Sequence, residues 1–342
     1  MSGTPSPRAF ITGCAGISLT PDETDFLREA APWGLILFRR NVDTPEQVAA
    51  LVAAFRATVG RDDAPVLIDQ EGGRVQRLGP PHWPVYPPAD VFARRAEAGD
   101  IDGAAEAARL GGRLMAADLA ALGINVDCVP CADLRLPEGH GIIGDRAYGS
   151  TPAQVARLAR AAAQGLIEGG VLPVLKHIPG HGRARADSHL SLPVVETSRA
   201  ELEATDFEPF RLLADLPLGM TAHVVYAAID AERPATTSKR VIDEIIRGHI
   251  GFDGALMSDD LSMGALAGSL ASRAEASFAA GCDLALHCNG RLDEMAEVAS
   301  RSPVLAGEAA RRCAAALGRL GAREEIAQDE ARARFSDMIA AS

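Results

Sequence analysis

The chain has 342 residues, of which 47% are hydrophobic, 23% are charged and only 4% are aromatic. This composition is ordinary for a folded globular protein, and it excludes collagen-like, coiled-coil and largely disordered chains. Because 46 acidic residues outnumber 34 basic ones, the net charge is −12, and neither a nucleic acid nor an anionic membrane surface is expected as a partner.

Short apolar runs that are typical of buried β-strands recur along the chain. The eight predicted strands cover residues 10–14, 34–38, 65–69, 124–129, 172–177, 218–223, 255–258 and 283–288. Longer alanine-rich, amphipathic stretches lie between them and are typical of helices. Strands that are apolar on both faces and joined by helices predict a parallel sheet with both faces covered.

Four of the amphipathic stretches begin at a recognisable helix start. A hydroxyl N-cap, a proline at the first helical position and Glu or Gln at the third follow one another at Thr20, Thr44 and Thr151. Ser198 repeats this pattern without the proline. These starts satisfy the free N–H groups of a first helical turn. They predict helices at residues 21–31, 45–59, 152–169 and 199–214.

Eight alternating strand and helix units predict a single α/β domain, a (β/α)8 barrel of the TIM type. A doubly wound open sheet is the alternative, but no Gly-x-Gly-x-x-Gly follows any strand. We expect one catalytic domain over residues 1–342, with the barrel at about 10–300. Extra C-terminal helices are expected at about 304–340, packed outside the barrel. A monomer or a weak homo-oligomer is the expected assembly.

The chain shows no signal peptide and no apolar run of the roughly 18 residues that span a bilayer. This predicts a cytoplasmic protein without membrane contact. Six cysteines in so long a chain do not indicate a disulfide framework. Cys128 and Cys131 form a Cys-x-x-Cys pair. A zinc-binding or redox function would need a second pair of ligands or a helix start that lowers the thiol pKa. We interpret both as buried packing residues.

Polar side chains gather where four of the predicted strands end. They are residues 69–74 after the third strand, 176–177 at the fifth, His223 at the sixth and 259–260 after the seventh. Charged residues on apolar strands are costly to bury without partners, and the carboxyl ends of barrel strands meet at one face. We therefore expect one shared polar pocket. The residues expected to converge there are Asp69, Lys176, His223 and Asp259.

The segment 176–189 holds three histidines, a lysine and an aspartate. Metal binding is one interpretation, because imidazoles and carboxylates are zinc ligands. Two glycines and a proline predict an irregular loop, however, without the i, i+4 spacing of a helical zinc site. Asp187 and His189 lie two apart and point to the same side in an extended segment, so Asp187 can fix the tautomer of a proton-transferring His189. No Gly-x-Ser-x-Gly elbow supplies a nucleophile, which leaves the carboxylates at 259–260.

A carboxylate nucleophile with a proton donor is the arrangement that glycoside hydrolysis requires. Three segments, IDQEGGRVQR at 68–77, KHIPGHG with DSH at 176–189 and SDDLSM at 258–263, resemble those of family 3 glycoside hydrolases. Within that family they are similar to the bacterial β-N-acetylglucosaminidases of cell-wall recycling. The similarity keeps the same order from about residue 10 to about residue 290.

The resemblance implies a role for each matched residue. Asp259 matches the nucleophile, and His189 matches the acid/base, oriented by Asp187. The residues that match the family's binding positions for the N-acetylglucosamine unit are Asp69, Arg77, Arg146, Lys176 and His177. The implied protein is a retaining β-N-acetylglucosaminidase with no metal or other cofactor. Its implied substrates are N-acetylglucosamine-containing muropeptides with a 1,6-anhydro-N-acetylmuramic acid unit.

Neighbouring residues and other activities stay open at this point. If they have no direct role, Arg74 is expected to form a salt bridge beside the site and Glu71 to be a structural partner near the strand end. Asp260 is expected either to orient its neighbours or to act in catalysis. One alternative is a metal-dependent hydrolase built on the 176–189 loop, and another is an amino-sugar-binding protein without catalysis. A phosphorylase is also possible chemically, because a neutral histidine repels incoming phosphate less than a carboxylate does.

Overall fold

The computed structural model describes residues 6–321 and 325–340, and its centre is a closed barrel of eight strands. We number them in chain order: β1 (Arg8–Thr12), β2 (Pro32–Leu37), β3 (Val66–Ile68), β4 (Val126–Asp127), β5 (Leu172–Ile178), β6 (Leu218–Thr221), β7 (Ala255–Asp260) and β8 (Leu284–His287). All neighbouring pairs are parallel, and β8 pairs with β1. The predicted (β/α)8 fold and its eight strands are confirmed, with no strand end displaced by more than two residues.

Helices surround the barrel and follow the strands. They are α1 (Pro21–Ala30), α2 (Pro45–Val59), α3 (Ala89–Glu97), α4 (Ile101–Ala121), α5 (Pro152–Glu168), α6 (Arg199–Ala204), α7 (Glu208–Leu212), α8 (Leu270–Ala280), α9 (Leu292–Arg301), α10 (Gly307–Leu317) and α11 (Gln328–Ala340). Short 3₁₀ turns occur at Arg39–Asn41, Gly144–Arg146 and Ala235–Thr237, and a π-helix occurs at Val241–His249. Within the described ranges, no helix combines the length and apolarity needed to cross a bilayer.

Most of the predicted helix starts follow from local hydrogen bonds. The Thr20 hydroxyl accepts from the N–H of Glu23, whose carboxylate accepts from the Thr20 N–H in return. Thr44 and Ser198 likewise accept from the backbone three residues on. Thr151 makes no such bond, and α5 begins at Pro152 without a side-chain cap. A proline at the first helical position needs no N–H partner and presets the backbone angle φ, so this start is still clear in the sequence.

The fourth predicted helix, at residues 199–214, is wrong in its extent. The chain forms α6 and then starts again as α7. Pro209 has no N–H to continue a helical ladder through this point. The Asp206 carboxylate accepts from the Arg183 guanidinium and the Thr205 hydroxyl. These contacts hold the break in place.

The C-terminal helices pack in two different ways, since α10 covers one end of the barrel and α11 lies against the surrounding helices. Cys313 and Ala316 of α10 belong to the apolar cluster that fills the barrel interior. The N–H of Leu305, just before α10, donates to the carbonyl oxygen of Pro7, which lies beside the start of β1. This contact places α10 over the amino-terminal end of the barrel. The helix α11 packs outside against α4, and its Phe335 ring lies 6.4 Å from that of Phe92.

Candidate active site

A cavity of about 320 Å³ opens where the strands end, on the face opposite α10. Seven of the eight predicted site residues line it: Asp69, Arg77, Arg146, Lys176, His177, His189 and Asp259. The eighth, Asp187, does not line the cavity but is hydrogen-bonded to His189. His223 does not line the cavity, contrary to expectation. It is buried, with its Nε2 3.1 Å from the carbonyl oxygen of Asp260.

A buried network of ion pairs forms the side of the cavity between β3 and β5. The Lys176 ammonium lies 2.9 Å from Asp69 Oδ1 and 2.6 Å from Glu71 Oε1. Arg77 binds the other oxygen of Asp69 at 2.9 Å. Arg146 holds Glu71 through two bonds of 2.7 and 2.8 Å. Such two-pronged Arg–carboxylate pairs fix geometry as well as charge.

The network keeps its charges despite burial. Burial by itself raises the pKa of Glu71, but Arg146 and Lys176 outweigh it and lower the pKa to about 2. Burial likewise opposes the charged form of Lys176, yet the carboxylates of Asp69 and Glu71 raise its pKa above the usual value. Each oxygen of Asp69 has one charged partner and retains a second lone pair for a hydroxyl donor. The wall therefore presents fixed charges to a polar ligand.

Lys176→Met is expected to lower the free energy of unfolding by about 3–5 kcal/mol, the usual result of removing one member of a buried ionic group. The change leaves Asp69 and Glu71 facing each other without the cation between them, and Lys176 is only 2% exposed. Urea unfolding at pH 7 measures the loss. Lys239→Met is the matched control, because Lys239 pairs with Asp243 at the surface and should cost less than about 1 kcal/mol.

The pH dependence of that loss tests its cause. In the wild type, the folded pKa of Glu71, about 2, is below its unfolded value of about 4.3. The stabilisation from ionised Glu71 is therefore complete above the unfolded pKa and is lost as the pH falls toward 2. Without Lys176 the folded pKa values rise, so the deficit of the variant is largest at neutral pH and narrows below about pH 4. A deficit that does not change with pH would contradict this electrostatic explanation.

Asp259 is the carboxylate at the carboxyl end of β7. Burial raises the pKa of Asp259, but the nearby imidazoles of His177 and His223 and the N–H of Asp260 outweigh it and lower the pKa below the ordinary value. That N–H donates to Asp259 Oδ1 at 2.8 Å. The group is thus an ionised carboxylate in a site that excludes much of the solvent, which suits a nucleophile.

The neighbouring Asp260 is occupied by the backbone of its own loop. Its carboxylate accepts from the N–H and hydroxyl of Ser262 and from the N–H of Cys288. These bonds join the loop after β7 to the end of β8, and they favour the orienting role of Asp260. Arg74 forms the expected salt bridge, with Asp145 at 2.8 Å, and Glu71 pairs with Arg146.

The pair Asp187 and His189 has the geometry of a proton-transfer dyad. Asp187 Oδ1 lies 2.7 Å from His189 Nδ1 and 2.9 Å from the His189 N–H. Burial opposes ionisation of Asp187, but these two hydrogen bonds outweigh it and lower its pKa. With Nδ1 engaged, the free nitrogen of the ring is Nε2, and the His189 side chain is 59% exposed at the cavity.

Asp133 is a supporting residue that the sequence interpretation missed. It is fully buried after β4, and its carboxylate lies 2.6 Å from His177 Nδ1 and 2.6 Å from the N–H of His181. Asp133 thereby orients the ring of His177 at the cavity. Its position after the fourth strand could have indicated a place in the site, because the other polar groups of the site also lie at or after strand ends.

Cys131, Asp133 and His177 are the three potential metal ligands that lie within 4.8 Å of one another in the described ranges. The Cys131 thiol donates to the same Asp133 oxygen that binds the His177 ring. The histidine-rich loop contributes one imidazole to this set, and His181 and His189 bind other partners. Cys128 and Cys131 are buried, as expected, and burial raises the pKa of both thiols.

Comparisons with known proteins agree on one family. A model described as the glycosyl hydrolase family 3 N-terminal domain matches residues 19–314. The chain is 42% identical over 279 residues to a β-hexosaminidase of Pseudomonas aeruginosa, which is 81% of each chain. Native NagZ from Neisseria gonorrhoeae has a TM-score of 0.84 at 34% identity, with 98% of this chain and 97% of that one covered. In a further structure, the same Neisseria enzyme is in complex with N-trifluoroacetyl-D-glucosamine.

Proposed function

The chain belongs to glycosyl hydrolase family 3 and is a β-N-acetylhexosaminidase, and from this premise we propose a retaining mechanism and a muropeptide substrate. The substrate carries a terminal N-acetylglucosamine on 1,6-anhydro-N-acetylmuramic acid, as in cell-wall recycling. One observation carries the proposal: the carboxylate of Asp259 and the imidazole of His189 line the same cavity. The ligand in complex with the Neisseria enzyme, a substituted glucosamine, supports an amino sugar as the bound unit.

In the first proposed step, Asp259 attacks the anomeric carbon and the glycosidic bond breaks. His189 Nε2 gives its proton to the departing oxygen, while Nδ1–H donates to Asp187 and the carboxylate stabilises the imidazolium before transfer. In the second step a water attacks the same carbon, its proton passes to Nε2, and the Asp259 ester is cleaved. Two displacements at one carbon retain its configuration.

The remaining walls of the cavity supply the proposed sugar-binding groups. Asp69 can accept from hydroxyls while Lys176 and Arg77 hold its two oxygens in place. Arg146 and His177 are held in the same way by Glu71 and Asp133. Side chains fixed before the ligand arrives lose little entropy when they bind it, which favours orientation of the anomeric carbon toward Asp259.

A pair of chromogenic substrates tests the proposed activity. An aryl β-N-acetylglucosaminide should turn over much faster than the matched glucoside, and the first product formed in methanol should be the β-methyl glycoside. An α product would contradict retention. Rates measured with and without phosphate distinguish hydrolysis from phosphorolysis, because a phosphorylase would release the sugar 1-phosphate. The natural aglycone is tested by release of N-acetylglucosamine from a purified anhydro-muropeptide.

The loop with the dyad is expected to close over the sugar, since water exclusion favours such lids. Residues 176–178 belong to β5, and the whole of 176–182 is buried, which confines the expected motion to about 183–191 rather than the whole of 176–189. Amide exchange in this narrower segment should become slower when an N-acetylglucosamine-based inhibitor binds, because the sugar stabilises the closed position of the loop. Slow exchange that the inhibitor leaves unchanged would exclude closure.

We also propose that the enzyme works in the cytoplasm. The six cysteines are all free, buried thiols, which suits a reducing compartment. Fractionation of the native host, followed by assay of the fractions, tests this placement.

A further inference from the structure

The loop that carries Asp187 and His189 is fastened to the loop that follows Asp259. The N–H of Gly264 donates to the carbonyl oxygen of His189 at 3.1 Å, and the N–H of Ala265 donates to that of Ser188 at 3.2 Å. Gly264 and Ala265 lie in the loop that follows β7, which ends at Asp260. The segments that hold the proposed nucleophile and the proposed acid/base therefore contact each other through their backbones.

Gly264 allows this close approach because it has no side chain. A Cβ atom at this position would lie 2.9 Å from the carbonyl oxygens of both His189 and Leu190. Contacts of that length between a carbon and backbone atoms force one of the two segments to move. The backbone of Gly264 is outside the left-handed region, so the restriction comes from the neighbouring loop rather than from backbone strain.

A side-chain contact fastens the same loop from the other side. The Ser188 hydroxyl lies 3.0 Å from His181 Nε2, and both residues are 3% exposed. His181 is itself held by its N–H, which donates to Asp133. Burial lowers the pKa of His181 to about 4, so the ring is neutral near pH 7 and the contact persists there. Ser188, between Asp187 and His189, is thus anchored beneath an exposed catalytic side chain.

We propose that Gly264, together with the contact between His181 and Ser188, docks this loop so that His189 is placed for proton transfer. The inference rests on the proposed function of His189 as the acid/base. Gly264 does not line the cavity, so it is a positioning residue that acts through His189. Weakening the docking should therefore impair proton donation and leave the attack by Asp259 intact.

Gly264→Ala tests the docking, with Gly16→Ala as the matched control, since a Cβ at Gly16 meets nothing within 4 Å. For a disaccharide, whose leaving group needs a proton, kcat/KM should fall roughly 10- to 100-fold in Gly264→Ala. For an aryl glycoside with a nitrophenolate leaving group, the fall in the glycosylation rate should be less than about threefold. Gly16→Ala should match the wild type on both substrates.

The same substitution in the His189→Ala background isolates the mechanism. If Gly264 acts through His189, adding Gly264→Ala to His189→Ala should cause no further loss on the disaccharide. A full additional loss, or equal losses on both substrates in the single variant, would overturn the proposal. Ser188→Ala should show the same leaving-group pattern more weakly, and it provides the test if Gly264→Ala does not fold. If His189→Ala itself shows no leaving-group dependence, the proposed function fails instead.

Discussion

Asp259→Asn is expected to leave the barrel folded and to lower kcat by at least about 10⁴-fold, the scale of loss when a residue of a covalent mechanism is removed. The amide oxygen can still accept the N–H of Asp260, which Asp259 Oδ1 accepts at 2.8 Å, so the local structure should persist. The neutral amide cannot form the glycosyl ester. Circular dichroism and urea unfolding check the fold, and turnover of the aryl N-acetylglucosaminide measures the loss.

Labelling identifies the nucleophile independently of the kinetic loss. A 2-fluoro or 5-fluoro glycoside slows the second step and should leave a sugar on Asp259, found by mass spectrometry of a digest. Asp260→Asn is the neighbouring control. Its carboxylate holds the N–H groups of Ser262 and Cys288, so the substitution should weaken the loop and cost much less activity. A label on Asp260 would move the nucleophile by one residue.

His189→Ala should separate substrates by their leaving groups. For a disaccharide, loss of the proton donor should lower kcat/KM by about 10²–10⁴-fold, the usual worth of general acid catalysis. A nitrophenolate departs without a proton, so its glycosylation step should change little. Deglycosylation should then become limiting, because no base activates the water, and the first turnover should appear as a burst. Azide needs no base and should restore steady turnover as a glycosyl azide.

Asp187→Ala is the graded comparison for that experiment. It removes the carboxylate 2.7 Å from His189 Nδ1 but leaves the imidazole, so the same pattern should appear in a milder form. Equal losses on both substrates in His189→Ala would indicate a binding or structural role for the residue. The proton donor would then be sought among Glu71, His177, His181 and His223, of which His177 alone lines the cavity.

The sequence was most informative where structure depends on neighbouring residues. Runs that are apolar on both faces predicted all eight strands, because a strand covered on both sides has no polar face. The start of α1 was clear because its capping bonds join residues three apart, Thr20 and Glu23. The break before α7 was missed even though Pro209 is visible, because the contact that holds it comes from Arg183.

The choice of partners within the site was decided by the tertiary structure. Motif positions indicated that Asp69, Lys176 and Asp259 follow strands of one barrel face, and they line one cavity. They could not show that Lys176 lies between Asp69 and Glu71, since an ion pair depends on distances across separate strands. His223 lies just past the end of a strand, yet its ring bonds to Thr236 and does not line the cavity.

The sequence by itself therefore determined the (β/α)8 architecture and the types of side chain at the ends of its strands, because periodicity and capping act within one segment. Only the tertiary structure decided that α10 closes the amino-terminal end of the barrel, that Asp133 orients His177, and that Gly264 receives the loop of His189. Each of these contacts joins residues far apart in the chain. Its strength depends on packing and on a separation of a few ångströms, which no local pattern encodes.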